Sequence, residues 1–341
     1  MGEKPFRGRQ LAQWIYGKGA ATFAEMSNLS ASLKAKLESE AALDFPDIVT
    51  RFESPDGTTK LLLQMDDGER VETVRLPYPE RLSACVSSQA GCAMACQFCA
   101  TGIGGFRRNL TTAEIIGQLL LVKREGGSMR EVGQTPTHVV FMGMGEPLLN
   151  TKNVFPAIHL MHDEMGIPMR QITVSTVGIL PGIAALAEQK LQLTLAISLH
   201  APTDELRHRL IPTSTKTHVR EIIAAARDYV EQTGRRVTFE YVVLGGVNDS
   251  PQMARELAKL CKGWACHVNL IPWNDVPDAQ LEGAAFGAPH PADLVGFRKT
   301  LESSNISVTQ RVQRGADVAA ACGQLRAIER EREGVIPLAV V

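Results

Sequence analysis

The sequence predicts an α/β protein whose main body is a partial TIM-type barrel of six β/α units, preceded by a small helical module and short antiparallel strands. Three observations carry that prediction. From Ala84 the apolar, strand-like runs ACVSS, HVVFM, QITVS, LTLAIS, VTFEYVV and HVNLI alternate with helical stretches such as TTAEIIGQLLLVKR and HVREIIAAARDYVEQ. Ahead of them, Asp56-Gly57 and Asp67-Gly68, the strongest short hairpin-turn signals, separate three short runs. Finally, most chemistry-bearing residues fall just after strand runs, where the loops of a parallel barrel converge on one face.

Taken in order, residues 7–40 read as helices, with an apolar stripe of Leu11, Trp14 and Ile15 and a second of Phe23, Met26, Leu29 and Leu33. Residues 48–54, 59–64 and 70–75 read as strands of an antiparallel unit. The expected division is a helical accessory module over 1–45, the antiparallel extension over 46–80, the barrel over 81–312 and a C-terminal segment over 313–341. A last strand-like piece, ISVTQRV, precedes that segment.

The chain has 341 residues, 44% of them hydrophobic and 21% charged, which suffices for a large core. A formal net charge of −1 provides no global basic field, so a nucleic-acid partner would need local clusters of arginine. Candidates are Arg107, Arg108, Arg207, Arg209, Arg311 and Arg314. The start has no apolar leader and no apolar run reaches the roughly 18–20 residues of a membrane span, so the expectation is a cytoplasmic protein. Seven cysteines in such a chain argue for metal or redox chemistry over a secreted disulfide framework.

Three of these cysteines stand close together. Cys92, Cys96 and Cys99 form a CxxxCxxC pattern in the loop after the first barrel strand. Three thiolates suit a four-iron, four-sulfur cluster with one iron left open. Zinc with Cys85 as fourth ligand is the competing reading, although structural zinc usually pairs two close cysteines with a second pair or with histidines. Cys261 and Cys266 match no motif and read as buried thiols.

The CxxxCxxC pattern with an aromatic residue before its last cysteine resembles the radical S-adenosylmethionine superfamily. The stretch CVSSQAGCAMACQFCATG, followed by GFRRNLTTAEI, FMGMGEPLLN, AISLHAP, NLIPWN and AACGQL, resembles the bacterial dual-specificity RNA adenine-C2 methyltransferases of the RlmN type, from about residue 5 to about 326. The start close to GEKPFRGRQL suggests an abbreviated accessory module. The resemblance implies one [4Fe-4S] cluster on Cys92, Cys96 and Cys99, and two molecules of S-adenosyl-L-methionine per turnover. It implies contacts to that cofactor from Gly145, Glu146, Ser175, Ser198, Leu199, His200 and Asn274, with Gly143 in the same Gly-rich turn.

It further implies that Cys322 is the methyl-accepting cysteine, Cys85 the thiol that forms a transient disulfide with it, and Glu72 the proton acceptor. The implied substrates are an adenosine of 23S rRNA and adenosine 37 of tRNAs, with flavodoxin or ferredoxin as electron donor and the chain acting as a monomer away from membranes. Two other readings stand beside this one. The sister enzymes methylate C8 of the same ribosomal adenosine with the same cluster and cysteines, and a zinc-stabilised RNA-binding protein would carry no catalysis.

Overall fold

The computed structural model describes residues 2–125 and 135–326. The chain opens with α1 (Pro5–Ala12), which continues into a π-helical turn over Gln13–Lys18 and ends at Gly19. A short 3-10 turn over Phe23–Glu25 and α2 (Ala31–Glu40) follow. The single stripe expected over Phe23, Met26, Leu29 and Leu33 is therefore not one helix. A Thr22–Glu25 capping box starts the first piece, and the Ser30 side chain starts the second by accepting from the Leu33 amide at 3.3 Å. The four apolar residues still meet, with Trp14, Ala20 and Leu37, in a small core of their own.

Three antiparallel strands come next: β1 (Asp47–Glu53), β2 (Thr59–Gln64) and β3 (Arg70–Tyr78). A tight turn leads into β4 (Arg81–Cys85), which pairs antiparallel with β3 and places Val74 opposite Cys85. Then follow β5 (Gln89–Gly91), α3 (Ala100–Ile103), β6 (Phe106–Asn109) and α4 (Thr112–Arg124). The barrel proceeds through β7 (His138–Phe141), α5 (Thr151–Asp163), β8 (Ile172–Thr176), α6 (Leu180–Glu188), β9 (Thr194–Ser198), α7 (Asp204–Leu210) and α8 (Val219–Thr233). It ends with β10 (Val237–Val243), α9 (Pro251–Cys261), β11 (Cys266–Pro272), a small ribbon of β12 (Gln280–Leu281) and β13 (Ala284–Ala285), α10 (Pro291–Ser303) and β14 (Ser307–Gln310).

One sheet holds ten of these strands in the order β1-β2-β3-β4-β7-β8-β9-β10-β11-β14. The antiparallel unit thus continues the same sheet as the barrel. The strands from β4 to β14 run parallel, and β14 adds a seventh beside the six expected. Their hydrophobic side chains, among them Val139, Val174, Leu195, Phe239 and Val268, are fully buried under helices such as α4, as an all-parallel sheet requires. The sheet does not close, because β1 and β14 remain its two ends among the described residues.

The segment after β14 joins those ends. Arg314 pairs with Asp56 at 3.3 Å, the Gly315 amide donates to Asp56 at 3.2 Å, and Ser54 donates to Asp317 at 2.7 Å. All three contacts lie on the turn between β1 and β2. Of the predicted C-terminal segment, residues 327–341 lie outside the described part. No helix among the described residues is long and apolar enough to cross a membrane.

The helical module docks on the last turn of α4. Lys123 donates to the carbonyls of Tyr16 and Gly17, and Arg124 donates to that of Gly19 at 3.1 Å while lying 4.2 Å from the Phe45 ring. These carbonyls end a helical turn, where cations are favourable. The double variant K123A/R124A is expected to weaken docking by about 1–3 kcal/mol, since the hydrogen bonds to a charged donor are lost. Hydrogen exchange would report it as faster exchange over residues 5–40 with β7 to β11 unchanged.

Candidate active site at the open end of the barrel

The cysteine loop is gripped at its neck. β5 and β6 pair antiparallel, and the Cys92 amide donates to the Gly105 carbonyl at 2.8 Å. Gly91 sits there with φ +71°, and a Cβ on it would lie 1.9 Å from the Gly105 oxygen, so only glycine fits. Beyond the neck, backbone groups are tied to the surroundings. The Gln97 amide donates to Leu210 at 3.0 Å, Thr213 to Met94 at 2.7 Å, and Trp273 to Phe98 at 3.3 Å. The loop is therefore fixed by partners that are not themselves cysteines.

A cavity of about 140 Å³ opens over this loop. Cys92, Cys96 and Cys99 line it together with Gly145, Glu146, Ser175, Ser198, His200, Asn274 and Cys322. Leu199 does not: its side chain is enclosed in the core, and its amide donates to Glu240 at 3.1 Å. Burial pushes the Cys92 thiol up to about 12, and raises those of Cys96 and Cys99 as well. Such thiols become ligands when metal charge offsets desolvation.

The same arrangement bears on the choice of metal. Among the described residues, no three His, Cys, Asp or Glu side chains are grouped to hold one metal ion. A zinc site needs thiolates packed at about 2.3 Å around a single centre, whereas a four-iron cluster gives each cysteine its own iron. Cys85, the supposed fourth zinc ligand, lies in a different cavity. The donor set fits the cluster.

Several polar groups suit a bound S-adenosylmethionine. The Asn274 side-chain amide donates to the Cys322 carbonyl at 3.0 Å, which leaves its buried Oδ1 with no partner and turned to the cavity it lines. The His200 ring accepts from the Val242 amide at 3.1 Å through Nδ1, leaving Nε2 as the donor of a neutral imidazole. Burial, with Arg207 adding to it, drives that ring down to about 3. Phe98, the aromatic residue of the motif, packs edge-on against it at 4.9 Å. The Ser175 and Ser198 hydroxyls approach at 3.5 Å.

Glu146 has a second duty. Its two carboxylate oxygens accept from the Leu148 amide at 3.0 Å and the Val177 amide at 2.8 Å, pinning the turns after β7 and β8 together. Burial nevertheless pushes it up to about 7. Gly145, with φ +98°, is required by packing: a Cβ would meet Gln89 at 2.5 Å. Gln89 thus fixes the glycine at a position that also lines the cavity.

A smaller neighbouring cavity is lined by Cys85, Cys322, Asn274, Met142 and Arg311. Cys322 thus borders both spaces. Burial, with Cys322 adding to it, pushes the Cys85 thiol up to about 12 while Arg311 opposes the shift. The Arg311 guanidinium is itself raised, with Cys322 first among the causes.

Glu72 lines neither cavity. It is buried on β3, where its carboxylate pairs with Lys60 at 2.9 Å and accepts from the Arg326 amide at 2.8 Å. Lys60, fully enclosed, was not singled out from sequence, although the hairpin register that Asp67-Gly68 implies puts Leu62 opposite Glu72 and Lys60 on the diagonal.

The arginines divide by burial and partner. Arg207 is buried and donates to the Val177 carbonyl, so it is no phosphate contact; burial brings it down to about 10. Arg311 faces the smaller cavity. Arg108 pairs with Asp67 and Glu114, Arg209 with Glu282, and Arg314 with Asp56, whereas Arg107 is exposed.

Comparison with known proteins fixes the family. A model of the radical SAM superfamily matches residues 86–258, and one of the ribosomal RNA large subunit methyltransferase N-terminal domain matches residues 1–43. The chain is 48% identical to a "Probable dual-specificity RNA methyltransferase RlmN" of Thermosynechococcus vestitus, over 95% of this chain and 93% of that one. It is 47% identical to the protein of the same name from Parasynechococcus marenigrum, over 98% and 95%. The crystal structure of a radical SAM methyltransferase from Sphaerobacter thermophilus superposes with a TM-score of 0.88 at 44% identity, covering 94% of this chain and 93% of the other. A radical SAM fold, a matching N-terminal domain and near full-length identity at this level leave one assignment: the chain belongs to the radical SAM superfamily and, within it, to the RlmN-type dual-specificity RNA methyltransferases.

Proposed function

We propose that this enzyme methylates C2 of one adenosine in 23S rRNA and of adenosine 37 in tRNAs, passing the methyl carbon through Cys322. The observation that carries the reading is the position of Cys322, whose residue borders both the cavity of the cysteine loop and the cavity of Cys85. Cys92, Cys96 and Cys99 would hold the cluster. Held there, the cluster would supply the one-electron chemistry of the reaction, the reductive cleavage of S-adenosylmethionine and the return of that electron at the end of turnover.

The residues of the chain do the rest. Asn274 orients the Cys322 backbone while its free oxygen, the His200 Nε2–H, the two serines and Glu146 are the groups available to the cofactor. The Cys322 sulfur receives a methyl group first; after loss of a hydrogen atom, that carbon bonds to C2. Collapse of this adduct releases one proton and one electron. The C2 proton goes to Glu72. The Cys85 sulfur bonds to that of Cys322 as the sulfur–carbon bond breaks, the electron pair goes to carbon, and the thiol's proton completes the methyl group.

Flavodoxin or ferredoxin is the proposed reductant, and a monomer the proposed working form. Exposed Arg107, beside the loop neck, is the proposed phosphate contact. The sister reaction at C8 shares the cysteines, and the product distinguishes the two. Nucleoside mass spectrometry after reaction of the reconstituted enzyme with each RNA alone is expected to find 2-methyladenosine in both; 8-methyladenosine as main product would overturn the assignment.

Two variants test the relay. Cys322→Ala is expected to retain iron and sulfide yet lose turnover by about a thousandfold or more, because the nucleophile itself is gone. Cys85→Ala is expected to accumulate a covalent protein–RNA adduct, visible as a shifted band on a denaturing gel. Multiple turnovers by either variant would refute the relay.

A further inference from the structure

The Lys60–Glu72 pair reaches beyond the strands that carry it. The Lys60 ammonium lies 2.9 Å from one Glu72 oxygen and donates to the Ala319 carbonyl at 3.2 Å. The other Glu72 oxygen accepts from the Arg326 amide at 2.8 Å. Residues 319 and 326 bracket Cys322, so one buried ion pair holds both ends of the arc on which the methyl-carrying sulfur sits. On its opposite side the arc is held by Asn274 on the Cys322 carbonyl, by the Ala100 amide on the Gly323 carbonyl at 2.7 Å, and by Thr101 on the Leu325 carbonyl at 2.7 Å.

From this geometry we infer that Lys60 is a positioning residue for methyl transfer, latching the Cys322 arc to Glu72 until Glu72 takes up a proton. The inference rests on the proposal that Glu72 is the proton acceptor. Its logic is a count of donors. An ionised carboxylate offers an acceptor to Lys60 and another to the Arg326 amide. Once one oxygen carries the C2 proton, the carboxyl has lost its charge and gained a donor of its own beside two donors, so both contacts weaken. Arrival of the proton thereby loosens the arc at the stage when the Cys322 sulfur has to turn toward Cys85.

Two variants of the full-length protein separate this inference from the one beneath it. Glu72→Gln mimics the protonated acid, with one acceptor and one donor group against two donors. In the absence of RNA, hydrogen exchange over residues 319–326 is expected to be about tenfold faster or more, as loss of a hydrogen bond to a charged group implies. Exchange in β7 to β11 should stay as in the wild type. An unchanged rate over 319–326 would overturn the latch. Separately, release of methylated RNA by Glu72→Gln at the wild-type rate would overturn Glu72 as base.

Lys60→Met tests the ammonium. The ratio of covalent adduct to released product is expected to shift about tenfold toward adduct relative to the wild type, because the arc is no longer held in register with Glu72. A mere loss of folded protein would lower cluster content, S-methylation of Cys322 and adduct together and leave that ratio unchanged, which would count against the inference. Should Lys60→Met fail to fold, the exchange measurement on Glu72→Gln decides alone.

Discussion

Two ends of an open sheet, β1 and β14, have to be joined by a segment with no strand partner of its own, and the buried pair of Lys60 and Glu72 does part of that joining. An ion pair taken out of water carries a desolvation cost, and losing one partner of such a pair typically costs about 3–5 kcal/mol. The cost is tolerable here because each charge has more than one partner. Lys60 has a carboxylate, a backbone carbonyl and the Phe52 ring at 4.9 Å, while Glu72 has an ammonium and a backbone amide. The antiparallel strands are thus a cradle for the C-terminal segment, which explains why they extend the barrel sheet.

The second constraint is electrostatic. Three thiols, that of Cys96 buried and those of Cys92 and Cys99 half-buried, are each pushed upward by desolvation and form a site that is unfavourable for negative charge until a metal cluster offsets it. The protein surrounds them with fixed dipoles and few mobile charges. His200 is kept neutral, Glu146 is tied down by two backbone amides, and Arg207 sits behind the loop. Hydrogen-bond donors held this way do not reorganise when charge develops, which is the condition for effective electrostatic stabilisation.

Periodicity made the barrel legible, since six apolar runs separated by helical stretches admit few other arrangements. Turn chemistry made the hairpins legible. The break between the 3-10 turn and α2 was hidden because Ser30 looks like any helical serine until its hydroxyl is seen to cap. In the site, the cysteine pattern and the strand-end residues could be read directly, and the cavity brings most of them together. Lys60 could not, since its importance comes from the return of a segment about 250 residues downstream, a contact that no local pattern encodes, and Arg311, read as a phosphate candidate, lines the cavity of Cys85. The packing of Gln89 against Gly145 was not legible, because sequence cannot say which side chain approaches a glycine.

In the proposed relay, placing Cys85 and Cys322 at a second cavity resolves a chemical conflict. A radical site must be shielded from reducing thiols, since a sulfur–hydrogen bond readily gives up its hydrogen, yet the adduct can be resolved only by a thiol. One cavity holding all five cysteines would let Cys85 quench the radical meant for the methyl group on Cys322. Here Cys85 is buried at the end of β4 and lines only the smaller space, and of the five cysteines only Cys322 borders both. Under that proposal, the arc carrying the Cys322 sulfur has to serve both spaces in turn, which calls for anchoring contacts that a proton transfer can weaken.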